Sequence, residues 1–159
     1  MEKKELYKLE EAQREFGKQT NKRTWELLMK ENRSPTEDQQ MLEAAYASSY
    51  HWKMAGTPLN HQRAAWLLAH VYTVLGQADQ ALFHARACQA LTEKHQALME
   101  DFDLAYAAEG LARANALAGS LDDARRLKTE ARQLGNQIKD PEDKKIFDGD
   151  LDSGDWYGL

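Results

Sequence analysis

Apolar residues recur every three or four positions along most of the chain, which is the period of an amphipathic α-helix. Near the start this spacing joins Leu6, Leu9 and Phe16, and it resumes around Trp25. We therefore expect the chain to begin with two helices, or with one helix bent near Gly17.

Start and stop signals divide the rest of the chain into further helices. Ser34 can cap a helix whose first position is Pro35, and Gly56-Thr57-Pro58 combines a helix stop with the next helix start. The last dozen residues contain three glycines and are predicted to be irregular. The predicted helices cover residues 35–55, 58–75, 79–93, 99–118 and 121–134, and a short one opens at residue 141.

An internal repeat relates two of the predicted helix pairs at a spacing of 43 residues. The small residues of such a pattern allow two antiparallel helices to approach closely, and a glycine allows the chain to leave a helix in a left-handed conformation. The repeated positions are Leu68, Ala69, Tyr72, Gly76 and Ala81, which recur as Leu111, Ala112, Asn115, Gly119 and Ala124.

These positions resemble the tetratricopeptide (TPR) motif over residues 62–92 and 105–136. The repeat is longer than the roughly 34 residues of that motif, Ala69 replaces its glycine, and its closing proline is missing. The resemblance implies an all-α fold of about seven helices, in which antiparallel hairpins stack as a short TPR-like right-handed superhelix. The whole chain is also similar to small bacterial TPR-like proteins, a similarity that implies no function.

Two repeats seldom form a stable array alone, so we expect the remaining helices to extend it within a single domain, residues 1–159. Its predicted parts are the N-terminal helices with a divergent hairpin (1–56), the first TPR-like hairpin (57–97), the second (98–136), and a capping helix with an acidic tail (137–159).

Composition supports helices and argues against membrane insertion. The chain has only three prolines and nine glycines, and residues with high helix propensity dominate. No segment approaches the roughly 20 apolar residues of a membrane span, so a cytoplasmic protein is expected. The single cysteine, Cys88, excludes an internal disulfide and is interpreted as a small buried thiol.

The net charge of −5 is concentrated in residues 140–159, which hold seven acidic residues against Lys144 and Lys145. No basic stripe with interleaved aromatic residues occurs in the chain. We therefore expect neither nucleic acid nor a membrane as a partner.

Candidate binding residues follow from the TPR resemblance, which implies that the first helix of each hairpin lines a concave groove. The groove positions of the two hairpins also share a helix face by their spacing. In an alternative interpretation, Trp66 and Tyr106 pack in the core and Glu109 simply pairs with Arg113. The candidate residues are Arg63, Trp66, His70, Tyr106, Glu109 and Arg113; Thr73 and Ala116 complete the two helix faces.

No catalytic residue, metal site or cofactor is expected. The five histidines lack the spacing of helical zinc motifs, and the chain has no glycine loop that could cradle a phosphate.

The leading functional expectation is a non-enzymatic protein–protein interaction module that binds a peptide or partner protein in a helical groove. The alternative is a small-molecule-binding or hydrolytic protein with a polar pocket near His70, Glu109 and Arg113. A homodimer formed through the first helices is a third expectation. The terminal residues 156–159 either fold back onto the helices or bind another chain, and we favour the first.

Overall fold

The computed structural model describes residues 8–159, which form seven α-helices, one 3₁₀ turn (Gln96–Leu98) and no β-strand. The all-α fold is therefore confirmed for this part of the chain. The helices are α1 (Leu9–Leu28), α2 (Pro35–Ala55), α3 (Pro58–Val74), α4 (Ala78–Lys94), α5 (Asp101–Leu117), α6 (Leu121–Gly135) and α7 (Pro141–Asp152).

Consecutive helices pack as three hairpins, α1 with α2, α3 with α4 and α5 with α6. Helices α2 and α4 contact the first helix of the next hairpin, and α3 also contacts α5. Helix α7 packs on α5 and α6 at the end of the array. The first helices of the hairpins consequently share one face of the molecule, with α7 at its border.

The first helix of each repeat ends with the same backbone geometry. Gly76 and Gly119 adopt φ angles of 72° and 81°, and the N–H group after each glycine donates to the carbonyl five positions earlier at 2.9 Å. This pattern is the Schellman motif, which favours glycine because of its positive φ. The small residues of the repeat are at most 2% exposed: Ala69, Ala81, Ala112 and Ala124.

The N-terminal segment forms one continuous helix through Gly17 rather than two helices. A Cβ atom at Gly17 would lie 2.9 Å from Cε2 of Trp52, so the glycine permits close packing of α1 on α2. Leu6, which contributed to the predicted pattern, lies outside the described residues.

The prediction that residues from Asp148 onward are irregular was wrong for Asp148–Asp152, which continue α7. Phe147 and Leu151 lie one turn apart and both are fully buried against the third hairpin. Their burial outweighs the low helix propensity of Gly149.

Replacing Gly135 by alanine is expected to lower the free energy of unfolding by about 1–3 kcal/mol. A Cβ atom there would lie 2.3 Å from Cε1 of the buried Phe147, so α6 and α7 would have to separate. The matched control is Gly149→Ala in α7, where a Cβ atom meets nothing within 4 Å and a gain of about 0.4–1 kcal/mol is expected. Urea denaturation, monitored by circular dichroism, measures both changes. Equal free energies of unfolding for the two variants would contradict the close packing of Gly135 against Phe147.

Candidate functional site

A cavity of about 480 Å³ opens on the face formed by the first helices of the hairpins and α7. Its volume lies within the roughly 300–1,000 Å³ typical of ligand sites. The lining combines apolar and aromatic side chains with a few polar ones: Asn21, Trp25, Gln62, Arg63, Trp66, Leu67, Phe102, Asp103, Tyr106, Ile146 and Asp150.

Trp66 is the centre of the aromatic wall. Its ring stacks on His70 with centroids 4.9 Å apart, faces Trp25 at 6.0 Å, and meets Tyr106 edge-on at 5.5 Å. Its Nε1–H donates to the carbonyl oxygen of Tyr106 at 3.0 Å. A Cβ atom at Gly110 would lie 3.1 Å from that nitrogen, so the glycine gives Trp66 room to pack closely against α5. The wall is therefore held in one arrangement.

Arg63 and Asp103 form an ion pair in the cavity lining. The Nε and Nη2 atoms of Arg63 donate to the two carboxylate oxygens of Asp103 at 2.8 and 2.9 Å. The Asp103 side chain is buried, whereas that of Arg63 is 42% exposed and lies over the Phe102 ring at 5.1 Å. The hydrogen bond from Arg63 to Asp103 raises the pKa of the guanidinium. Arg63 is thus already paired within the protein.

Tyr106 joins the cavity wall to α7. Its hydroxyl donates to Oδ2 of Asp150 at 2.5 Å, and its ring meets that of Phe147 edge-on at 4.9 Å. Burial raises the pKa of the Tyr106 phenol above its ordinary range, and the hydrogen bond to Asp150 adds to the rise. The hydroxyl therefore stays protonated and orients Asp150.

Glu109 and Arg113 form a second ion pair, 3% and 8% exposed, beneath the C-terminal tail. Burial raises the pKa of Glu109, and the guanidinium of Arg113 opposes that rise. The other nitrogens of Arg113 donate to the backbone carbonyls of Asp150, Ser153 and Asp155 at 2.7, 3.0 and 3.2 Å. Because its donors are already engaged, Arg113 functions here as a structural anchor.

The C-terminal tail folds back onto the helices, as favoured from the sequence. Arg113 and Lys128 both lie over the Trp156 ring, with the guanidinium carbon 4.1 Å and the ammonium nitrogen 4.0 Å from a ring centroid. The hydroxyl of Tyr157 donates to the carbonyl of Thr73 on α3 at 3.1 Å. The tail thus covers the face on the side of Arg113 and leaves the cavity beside it.

His70 stacks on Trp66 and is partly buried. Burial lowers the pKa of its imidazole to about 4, and the positive charge of Arg113 adds to this shift. Neutral histidine is therefore the form that the folded protein favours.

This shift predicts a loss of stability in acid. Between pH 6.5 and about 4 the unfolded chain binds a proton at His70 that the folded chain does not bind, so the stability contribution is complete above pH 6.5 and falls as the pH drops. We expect His70 to account for a loss of about 2–3 kcal/mol between pH 7 and 4. Urea denaturation of the wild type and of His70→Gln across this range measures the effect. Parallel stability curves for the two proteins would contradict it.

The six predicted binding residues occupy three kinds of position. Arg63, Trp66 and Tyr106 line the cavity, His70 stacks on Trp66, and Glu109 and Arg113 are buried beneath the tail. Of the six residues, only the first three therefore line the cavity. The face positions Thr73 and Ala116 are buried as well.

The sequence interpretation missed several lining residues that come from outside the two repeats. Trp25 belongs to α1, whereas Ile146 and Asp150 belong to α7. Phe102 and Asp103 lie in the first turn of α5, before the predicted groove positions of the second hairpin. The signal in the sequence was the apolar pair Ile146-Phe147, because adjacent residues of a helix point to different faces and cannot both pack in the same core.

Comparisons with protein-family models, curated proteins and solved structures find no match for this chain. No helix within residues 8–159 is both long and apolar enough to cross a membrane. The described part of the chain also contains no group of three histidine, cysteine or acidic side chains placed to hold a metal ion.

Proposed function

We propose that this protein is a non-enzymatic TPR-like interaction module that binds a peptide segment of a partner protein. One observation carries the proposal: an aromatic-walled cavity lies where the first helices of successive hairpins meet α7. Large rigid aromatic groups around a pocket are typical of sites that anchor a few side chains of a partner. The size of the cavity suits one or two such side chains.

Repeat architecture supports the TPR-like part of the proposal. Gly76 and Gly119 have equivalent backbone geometry 43 residues apart, and the small residues of both hairpins are buried. The same arrangement directs the first helices toward the proposed binding face. In helix-repeat proteins, that face is a common binding surface.

Selection from a random peptide library displayed on phage would test the function, with the full chain as the target. Peptides that bind through the cavity should lose at least about tenfold in affinity against Trp66→Ala, because the central ring of the wall is removed. The matched control is Phe83→Ala on α4, since Phe83 is 69% exposed and does not line the cavity. Peptides that bind both variants equally well would contradict the proposal.

The polar-pocket alternative near His70, Glu109 and Arg113 has less support. The guanidinium of Arg113 is bonded to Glu109, to one carbonyl of α7 and to two carbonyls of the tail, and Trp156 covers it. A small molecule would have to displace this whole arrangement. Homodimer formation through α1 remains a separate proposal, for which Leu9 and Phe16 are available as exposed apolar residues.

A further inference from the structure

The charges around the cavity do not balance. Arg63 is paired with Asp103, and the neighbouring Arg113 is paired with Glu109. Asp150 accepts a hydrogen bond from Tyr106 but forms no ion pair with any residue between 8 and 159. Each buried carboxylate near the cavity therefore has its own arginine, and the charge of Asp150 remains in excess.

A second acidic residue adds to the negative charge of Asp150 near the cavity. Asp143 lies on α7 two turns before Asp150. Its charge makes the smallest contribution to the raised pKa of the Tyr106 phenol, after burial, Asp150 and Glu109. A negative potential at Tyr106 is thus indicated by the placement of both carboxylates. An anionic ligand would be repelled there, whereas a cation would be attracted.

The aromatic rings of the cavity also favour a positively charged ligand. The faces of indole, phenol and phenyl rings attract cations, with tryptophan the most effective. Trp25, Trp66 and Tyr106 supply such rings to the cavity. The protein already uses this contact at its rim, where the Arg63 guanidinium lies 5.1 Å from the Phe102 centroid.

From these observations we propose that the cavity receives a basic side chain, arginine or lysine, of the partner peptide. The aliphatic stem would pack on Trp66, and the charged end would pair with the free carboxylate oxygen of Asp150. The inference rests on the proposed function and specifies its ligand chemistry. A basic residue flanked by apolar residues is the expected recognition element.

The test uses four short peptides, acetyl-Gly-X-Gly-amide, in which X is arginine, lysine, norleucine or glutamate. Each is titrated into the ¹⁵N-labelled full chain while NMR follows the indole N–H signals of Trp25 and Trp66. We expect the arginine and lysine peptides to bind about tenfold or more tightly than the norleucine and glutamate peptides. Added salt should weaken only the basic peptides.

Asp150→Asn is the decisive variant because the amide oxygen still accepts the Tyr106 hydrogen bond while the negative charge is removed. It should reduce binding of the arginine peptide to that of the norleucine peptide. Asp79→Asn on α4 is the control, since it makes the same change in net charge at an exposed position outside the cavity lining. It should leave all affinities unchanged.

The outcomes separate this inference from the proposed function. Equal binding of the basic and norleucine peptides, preference for glutamate, no binding of any of the four, or an unchanged preference in Asp150→Asn would each overturn the basic side chain as ligand. The proposed function would still stand if selected library peptides depend on Trp66. Loss of that dependence would overturn the function itself.

Discussion

Replacing Arg113 by alanine is expected to destabilise the protein by about 3–5 kcal/mol, because Glu109 would remain buried without its counterion. The side chain of Glu109 is only 4% exposed, so water cannot substitute for the guanidinium. The carbonyl of Asp150 on α7 and two tail carbonyls would also lose their donor. Urea denaturation at neutral pH, monitored by circular dichroism, measures the change.

Arg125→Ala is the matched control for Arg113→Ala. Arg125 pairs with Asp122 on the surface of α6, where its side chain is 59% exposed, and such pairs contribute about 0–1 kcal/mol. A double variant, Glu109→Gln with Arg113→Ala, should be less destabilised than the sum of the two single changes, because it leaves no buried charge unpaired. If Arg113→Ala proves no more harmful than Arg125→Ala, Arg113 is not the anchor described here.

Phe147→Ala is the second change expected to have a large effect, a loss of about 3–5 kcal/mol. The Phe147 ring is fully buried between α7 and the third hairpin, where it contacts Tyr106 and fills the space beside Gly135. Its removal leaves a cavity that the tightly packed helices cannot close without moving. We expect α7 to loosen, and Asp150 to lose its position at Tyr106.

Ile146→Ala provides the comparison because it shortens the neighbouring apolar side chain, which is 57% exposed. Its cost should stay below about 1 kcal/mol, since little apolar surface leaves water at this position on folding. The two variants can be compared by thermal unfolding and by the NMR signal of the Tyr106 ring. Similar losses from both would show that α7 is not held by Phe147.

Local signals in the sequence predicted most of the fold. Ser34 caps α2 as expected, in a capping box with Glu37 that the structure adds, and Asp140 caps α7 through the N–H groups that follow Pro141. These interactions connect residues within four positions of each other, so the chain encodes them without reference to the rest of the molecule. Gly76 and Gly119 end their helices for the same kind of reason.

The cavity was only partly predictable because it depends on contacts between distant segments. Trp25 on α1 faces Trp66 on α3. Asp150 on α7 accepts a hydrogen bond from Tyr106, which lies 44 positions earlier in the chain. Helical spacing predicts that Glu109 and Arg113 share a helix face, but it contains no information about what covers that face. The tail that buries them was recognisable as apolar, whereas its contact with Arg113 depends on the tertiary fold.

The hydrogen bond between Tyr157 and the carbonyl of Thr73 connects residues 84 positions apart. In a simple repeat array each hairpin contacts only its neighbours, so the two ends can open independently. Here the tail ties the last helices to the middle hairpin, and the C-terminal part should open as one cooperative unit. We therefore expect amide hydrogen exchange to be fastest in α1 and α2, with α3, α5 and α7 exchanging together.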